Sequence, residues 1–267
     1  MRILVIHGSM RKGNTYTLTK EVVSCLYKKQ DVEITEYSVA DLDLPFCCSC
    51  HLCFSKGEEN CPHYGRLRNI KDALLDSDGV ILSGTTYIRS LNAAMKNLLD
   101  HFAYLFHRPA LFGKRGMVIT TSAGVGEKRV AKYIKTVMGQ WGINGAKIVT
   151  QNIKAHKLQS NGAELSIKEI AKLDNTAEKF YSLIKSKRHI PPSLKNIAVH
   201  NAFRAMSLSD FSESECDTQF WRTEGFRNKA YPVKAGAFRY LVGAFIYGVA
   251  QYSTKVIGKM YIKRQKE

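Results

Sequence analysis

Four cysteines, Cys47, Cys50, Cys53 and Cys61, follow one another as C-x2-C-x2-C-x7-C. Thiols this close along a chain can wrap one metal centre, with the last reaching over a short loop that contains Gly57. Cys48 is additional, and His51 and His63 keep zinc open as an alternative. A third reading is a cysteine-lined pocket that holds no metal. Cys25 and Cys216 stand apart and read as packing residues. The chain opens with only a short apolar run before His7 and Gly8, which does not match a signal peptide and leads us to expect a cytoplasmic protein. In that setting cysteines point to metal or redox chemistry rather than disulfides.

A second stretch with chemical potential is RILVIHGSMRKGNTYTL, residues 2–18. Residues 3–6 form a continuous apolar run, as in a parallel strand buried on both faces. Gly8 ends it, and Leu18, Val22 and Leu26 recur at helical spacing, so a helix begins near Thr15. A helix N-terminus at the end of a buried strand offers free N–H groups and the positive end of the helix dipole to an anion. Ser9, Thr15 and Thr17 add hydroxyls, Arg11 adds charge, and Gly13 lets the backbone come close. An ordinary capped turn is the plain alternative, but the density of donors favours a phosphate. The spacing matches neither the nucleotide P-loop nor the three-glycine dinucleotide pattern.

Around these two stretches, strands are expected at residues 3–6, 32–37, 79–84, 116–121 and 146–150. Helices are expected at residues 15–26, 67–75, 90–106, 128–141 and 166–187. Alternation at this spacing predicts a doubly wound five-stranded parallel sheet with ligands at the carboxyl ends of the strands. Three polar loops meet at that edge: residues 9–15, 85–89 and 121–126.

The stretch GSMRKGNT resembles the phosphate loop of the flavodoxin-like NAD(P)H-dependent FMN reductases. The segment from Gly84 through Tyr87 to Lys96 is similar to that family's second flavin loop, with Gly84 and Thr85 in place of its Ser-Pro. Residues 121–126 resemble the loop beneath the isoalloxazine ring. The resemblance covers residues 1–188 and implies a flavodoxin-like FMN-binding domain. It implies FMN contacts from Ser9, Arg11, Gly13, Asn14 and Thr15, from Thr85, Thr86, Tyr87 and Ile88, and from Thr121, Ser122, Ala123, Gly124 and Gly126. The cysteine spacing is similar to that of the iron-sulfur flavoproteins, an electron-transfer branch with a [4Fe-4S] cluster near FMN, which would make Cys47, Cys50, Cys53 and Cys61 its ligands.

The activity this implies is an FMN-dependent oxidoreductase that takes hydride from NAD(P)H at flavin N5, with no catalytic protein acid or base, and passes electrons to a small-molecule or protein acceptor. An iron-sulfur flavoprotein carrier without its own NAD(P)H reaction is the runner-up, and a membrane-surface protein that keeps the fold is a third class. The net charge of +17 is spread along the chain, and no nucleic-acid motif accompanies it. Residues 189–267 form an extension, expected to be mostly helical, that packs on the domain or on a partner subunit in a homodimer. Phe220, Trp221, Phe238 and Phe245 are its expected anchors. The helix from Phe238 is too short in its uncharged part to span a bilayer. Its basic flanks leave peripheral membrane contact through residues 237–264 as an alternative.

Overall fold

Ile3, Leu4, Val5 and Ile6 are all buried because β1 (Arg2–His7) runs between two layers of helices. The computed structural model describes residues 1–153, 164–210, 212, 214–223 and 231–266, without the side chains of Lys259 and of residues 261–266. In it β1 pairs in parallel with β2 (Glu33–Ser38) on one side and with β3 (Gly79–Tyr87) on the other. β3 pairs with β5 (Arg115–Ser122), and β5 with β6 (Lys147–Asn152). The order β2-β1-β3-β5-β6 is the five-stranded parallel sheet expected, and the short β4 (Ser90–Leu91) adds an antiparallel sixth strand at the end of β3. The strand order reverses at β1, which opens a crevice between the carboxyl ends of β1 and β3.

One face is covered by α1 (Asn14–Tyr27) and α7 (Ile167–Lys185), where Leu18, Val22 and Phe180 meet Val5 and Ile81. The other is covered by α3 (Tyr64–Asp76), α4 (Ala93–His101) and α6 (Glu127–Gln140), where Ile70, Met95 and Ile134 meet Leu4, Ile6 and Leu82. Residues 90–106 are not one helix. Ile88 (φ 46°) and Arg89 (φ 58°) make a two-residue left-handed turn from β3 into β4, and only then do α4 and the single turn α5 (Tyr104–His107) follow. Such turns usually carry Asn or Gly, so helical periodicity ran over this one unmarked.

The extension is helical, with α8 (Leu194–Ser207), α9 (Glu215–Arg222) and α10 (Ala237–Lys266). Asn196 on α8 accepts from Gln140 at 3.2 Å and donates to Asn144 at 3.2 Å, fixing α8 on α6. α9 packs on α2 (Leu52–Ser55), and α10 runs along α8. Trp221 is wholly buried within the chain, its ring 4.6 Å from that of His200, so it is no anchor for a partner.

Candidate functional site

Gly8 closes β1 where the chain must pass against β3: a Cβ there would lie 2.1 Å from the Ser83 carbonyl. The loop then leads to α1, whose N-cap Gly13 supplies no side-chain cap and whose first turn contains no acid. The N-terminal amides of α1 and its positive dipole end therefore face the crevice. Hydroxyls from all three polar loops form one chain: Ser9 to Thr85 at 3.1 Å, Thr85 to Thr15 at 2.9 Å, and Thr15 to Thr121 at 2.6 Å. Asn92, at the N-cap position of α4, donates its side chain to the Gly8 carbonyl at 2.6 Å and accepts from the Thr85 amide at 3.2 Å. The Thr85 amide is thus already engaged, whereas the buried Thr86 hydroxyl has no partner among the described residues.

The third loop is braced by Glu127, which sequence reasoning passed over. Its carboxylate accepts from Ser122 at 2.6 Å, and its carbonyl accepts from Thr120 at 2.9 Å. Gly126 is left-handed (φ 111°), and a Cβ there would meet the Arg89 Cα at 2.9 Å, so only glycine lets this loop close on the β3–β4 turn. Ala123 and Gly124 are exposed on this loop, and Arg11, Tyr87 and Ile88 are exposed on the other two, while Asn14 and Thr15 are buried. His7 was also missed. It is buried beside the loop with its Nε2 2.7 Å from Glu36, and burial holds its imidazole below the usual range despite the opposing pull of that carboxylate.

Cys47, Cys48, Cys50, Cys53 and Cys61 line one cavity of about 280 Å³ with His51, His63 and His101. Ser49 (φ 53°) and His51 (φ 61°) are left-handed without being glycine, a strained path of the kind found at ligand-holding loops. Burial pushes the Cys53 thiol up to about 11, and Cys61, Cys47 and Cys50 add to the shift, as expected of thiols crowded into one space. Among the described residues no three His, Cys, Asp or Glu side chains converge as for a single bound ion. Five thiols and three imidazoles around one cavity form a soft donor set of the kind that holds zinc or an iron-sulfur cluster. Cys48 shares the cavity, so place alone does not set it apart from the other four.

One helix joins the two places. At its start Asn92 holds the loop after β1, and farther along Asn97 accepts from the Cys47 amide at 3.0 Å and donates to the carbonyls of Leu44 and Pro45 at 3.1 and 3.0 Å. His101 binds the Pro45 carbonyl at 3.0 Å through Nε2, with Nδ1 3.9 Å from the Cys61 sulfur. From Asn92 to Asn97 is about 7.5 Å along the axis at 1.5 Å per residue.

The extension reaches the cysteine segment from behind. Buried Arg108 donates to the Cys53 carbonyl at 2.7 Å, to Glu58 at 3.0 Å and to Asp217 of α9, and His107 meets the other Asp217 oxygen at 2.7 Å. Burial alone would raise Asp217, but His107 and Arg108 outweigh it and hold the carboxyl below its ordinary range. Ser214 donates to the Phe54 carbonyl, so α9 grips the backbone on which Cys53 sits. Cys216, distant in sequence, is carried to this region on the same helix.

The family model described as NADPH-dependent FMN reductase matches residues 1–157. The chain belongs to this family. An iron-sulfur flavoprotein of Archaeoglobus fulgidus is 26% identical over 228 residues, covering 85% of this chain and 100% of the relative. A second iron-sulfur flavoprotein, from Clostridioides difficile, is 25% identical over 235 residues, covering 84% of this chain and 99% of the relative. Among solved structures, an FMN-dependent NADH-azoreductase from Bacillus anthracis in complex with FMN superposes with a TM-score of 0.52 at 15% identity, covering 67% of this chain and 99% of that one. This last likeness concerns the fold. Family membership makes the chain an FMN-dependent oxidoreductase of flavodoxin-like fold, and the crevice offers that cofactor a helix N-terminus with no side-chain cap and no acid in its first turn.

Proposed function

We propose that this chain takes reducing equivalents from NAD(P)H through FMN and passes them, by way of a [4Fe-4S] cluster on Cys47, Cys50, Cys53 and Cys61, to a small-molecule or protein acceptor. The observation that carries this reading is the hydroxyl chain Ser9–Thr85–Thr15–Thr121, which knits three loops around the open end of α1. Ser9, Arg11, Gly13, Asn14 and Thr15 hold the phosphate. Thr85, Thr86, Tyr87 and Ile88 border the ring system on one side, and residues 121–126 border it on the other. The free Thr86 hydroxyl supplies a hydrogen bond to the ring's polar edge.

Bound FMN supplies hydride acceptance and electron release, and the protein supplies orientation. Gly8 and Gly126 keep the walls close, Glu127 fixes the loop at Ser122, and exposed Tyr87 and Ile88 stand at the mouth where a second ring could lie. No side chain is needed as a proton carrier.

Mixing purified, flavin-loaded protein with NADH or NADPH under anaerobic conditions tests the reading. Bleaching of the flavin bands by either nucleotide is the expected result. Bleaching by dithionite but by neither nucleotide would leave an electron carrier, the reading favoured by the cysteine cavity's tie to the flavin loops through α4. A colourless protein that gains no bands with FMN would overturn both.

A further inference from the structure

α10 turns its less apolar side inward. Tyr240, Gly243, Tyr247, Ala250, Thr254 and Gly258 are buried or half-buried at helical spacing along the side facing α8, and the Arg204 guanidinium lies 4.4 Å from the Tyr247 ring. The opposite side carries Phe238, Leu241, Phe245, Val249, Tyr252 and Val256, of which Phe245 is 70% exposed and Tyr252 72% exposed. Steps of three and four residues set these on one stripe, about 27 Å long at 1.5 Å per residue. A continuous apolar strip of that length on a water-facing surface marks a place of contact.

Charge identifies the partner. Residues 225–266 contain nine Lys or Arg and no Asp or Glu. Lys255 is exposed next to the stripe, and Lys259, Lys263, Arg264 and Lys266 follow along the same helix. A second copy of this helix would bring no carboxylate to these cations, whereas a layer of anionic headgroups brings a counter-charge to each. No helix among the described residues is long and apolar enough to cross a membrane, so the contact lies along the surface. We propose that α10 docks this protein on an anionic bilayer, its aromatic and aliphatic stripe set into the headgroup boundary and its basic C-terminal half among the phosphates. The proposal is independent of the flavin chemistry.

Sedimentation of the full-length protein with vesicles of phosphatidylglycerol and phosphatidylcholine, compared with phosphatidylcholine alone at low and high salt, tests it. Binding at least tenfold tighter to the anionic vesicles, weakened by salt, is expected. Leu241→Glu with Phe245→Glu should remove that binding while leaving the circular dichroism and flavin content unchanged, since both side chains face water. Lys255→Gln with Lys259→Gln should weaken it about fivefold per cation. Equal binding to neutral and anionic vesicles, or none to either, overturns the proposal. A full-length dimer in light scattering that the Leu241→Glu/Phe245→Glu pair converts to a monomer, with no vesicle binding, would assign the stripe to a second copy instead.

Discussion

Single side chains at the α1 terminus should decide cofactor affinity without deciding folding. Ser9 and Arg11 lie on the solvent side of the sheet, and hydrogen bonds to a charged group contribute about 1.5–3 kcal/mol each, so Ser9→Ala with Arg11→Ala should weaken FMN binding at least tenfold by fluorescence titration. Unchanged affinity would remove the phosphate from this loop. In the cysteine cavity, Cys47, Cys50, Cys53 or Cys61→Ser should each lose iron on anaerobic purification, because a hydroxyl oxygen is a poor substitute for a soft thiolate. Cys48→Ser should retain it, and equal iron loss from all five would enlarge the ligand set. The cluster of donors at the start of α1 was legible because they lie within a few residues of one another. The links from Thr15 to Thr85 and Thr121 were not, since they join residues 70 and 106 positions apart and exist only once β1, β3 and β5 are side by side. Glu127 and His7 were silent for another reason: a lone acid or imidazole next to a motif has no periodicity to announce it.

At the scale of elements, α9 is the brace behind the cysteine segment. Asp217→Ala leaves Arg108 buried without its strongest counter-ion, which should cost about 3–5 kcal/mol in urea unfolding. It should also lower iron content, because Arg108 holds the Cys53 carbonyl. Destabilisation with full iron retention would separate the brace from the cluster. His200 on α8 gives this part of the fold a pH dependence. It is enclosed by Trp221, Tyr231 and Phe112, Arg204 is the cation nearest along its helix, and burial takes its imidazole down to about 3. Folded His200 is therefore neutral, while the unfolded chain takes up a proton near 6.5. Its contribution is complete above that value and is lost as pH falls from 6.5 toward 3, by up to about 1.4 kcal/mol per unit. The urea midpoint followed by tryptophan fluorescence between pH 7 and 4.5 should fall, and His200→Phe should flatten that part of the curve. Five βα units were readable because strand and helix periods differ. The helix from Phe238 was readable too, yet its orientation was not: residues 240–250 are apolar all round, and periodicity alone could not say which side would face α8.

For the whole molecule, the alternation of strands and helices follows from hydrophobic pattern, while the strand order and the joining of the cysteine segment to the crevice and to the extension depend on contacts between segments remote in sequence. α4 is the member common to both sites: Asn92 at its start sets Gly8 and Thr85, and Asn97 and His101 set Cys47 and Pro45. Any linkage that α4 carries between the occupancies of the two sites is reciprocal. If filling the crevice with FMN raises the affinity of the cysteine cavity for its cluster by some factor, filling the cavity must raise FMN affinity by that same factor. Cluster-free protein reconstituted with and without iron and sulfide should show this as two FMN dissociation constants whose ratio equals the ratio of cluster-release constants with and without FMN. Asn97→Ala, which removes three of the hydrogen bonds between α4 and residues 44–47 while leaving Asn92 in place, should drive both ratios toward one.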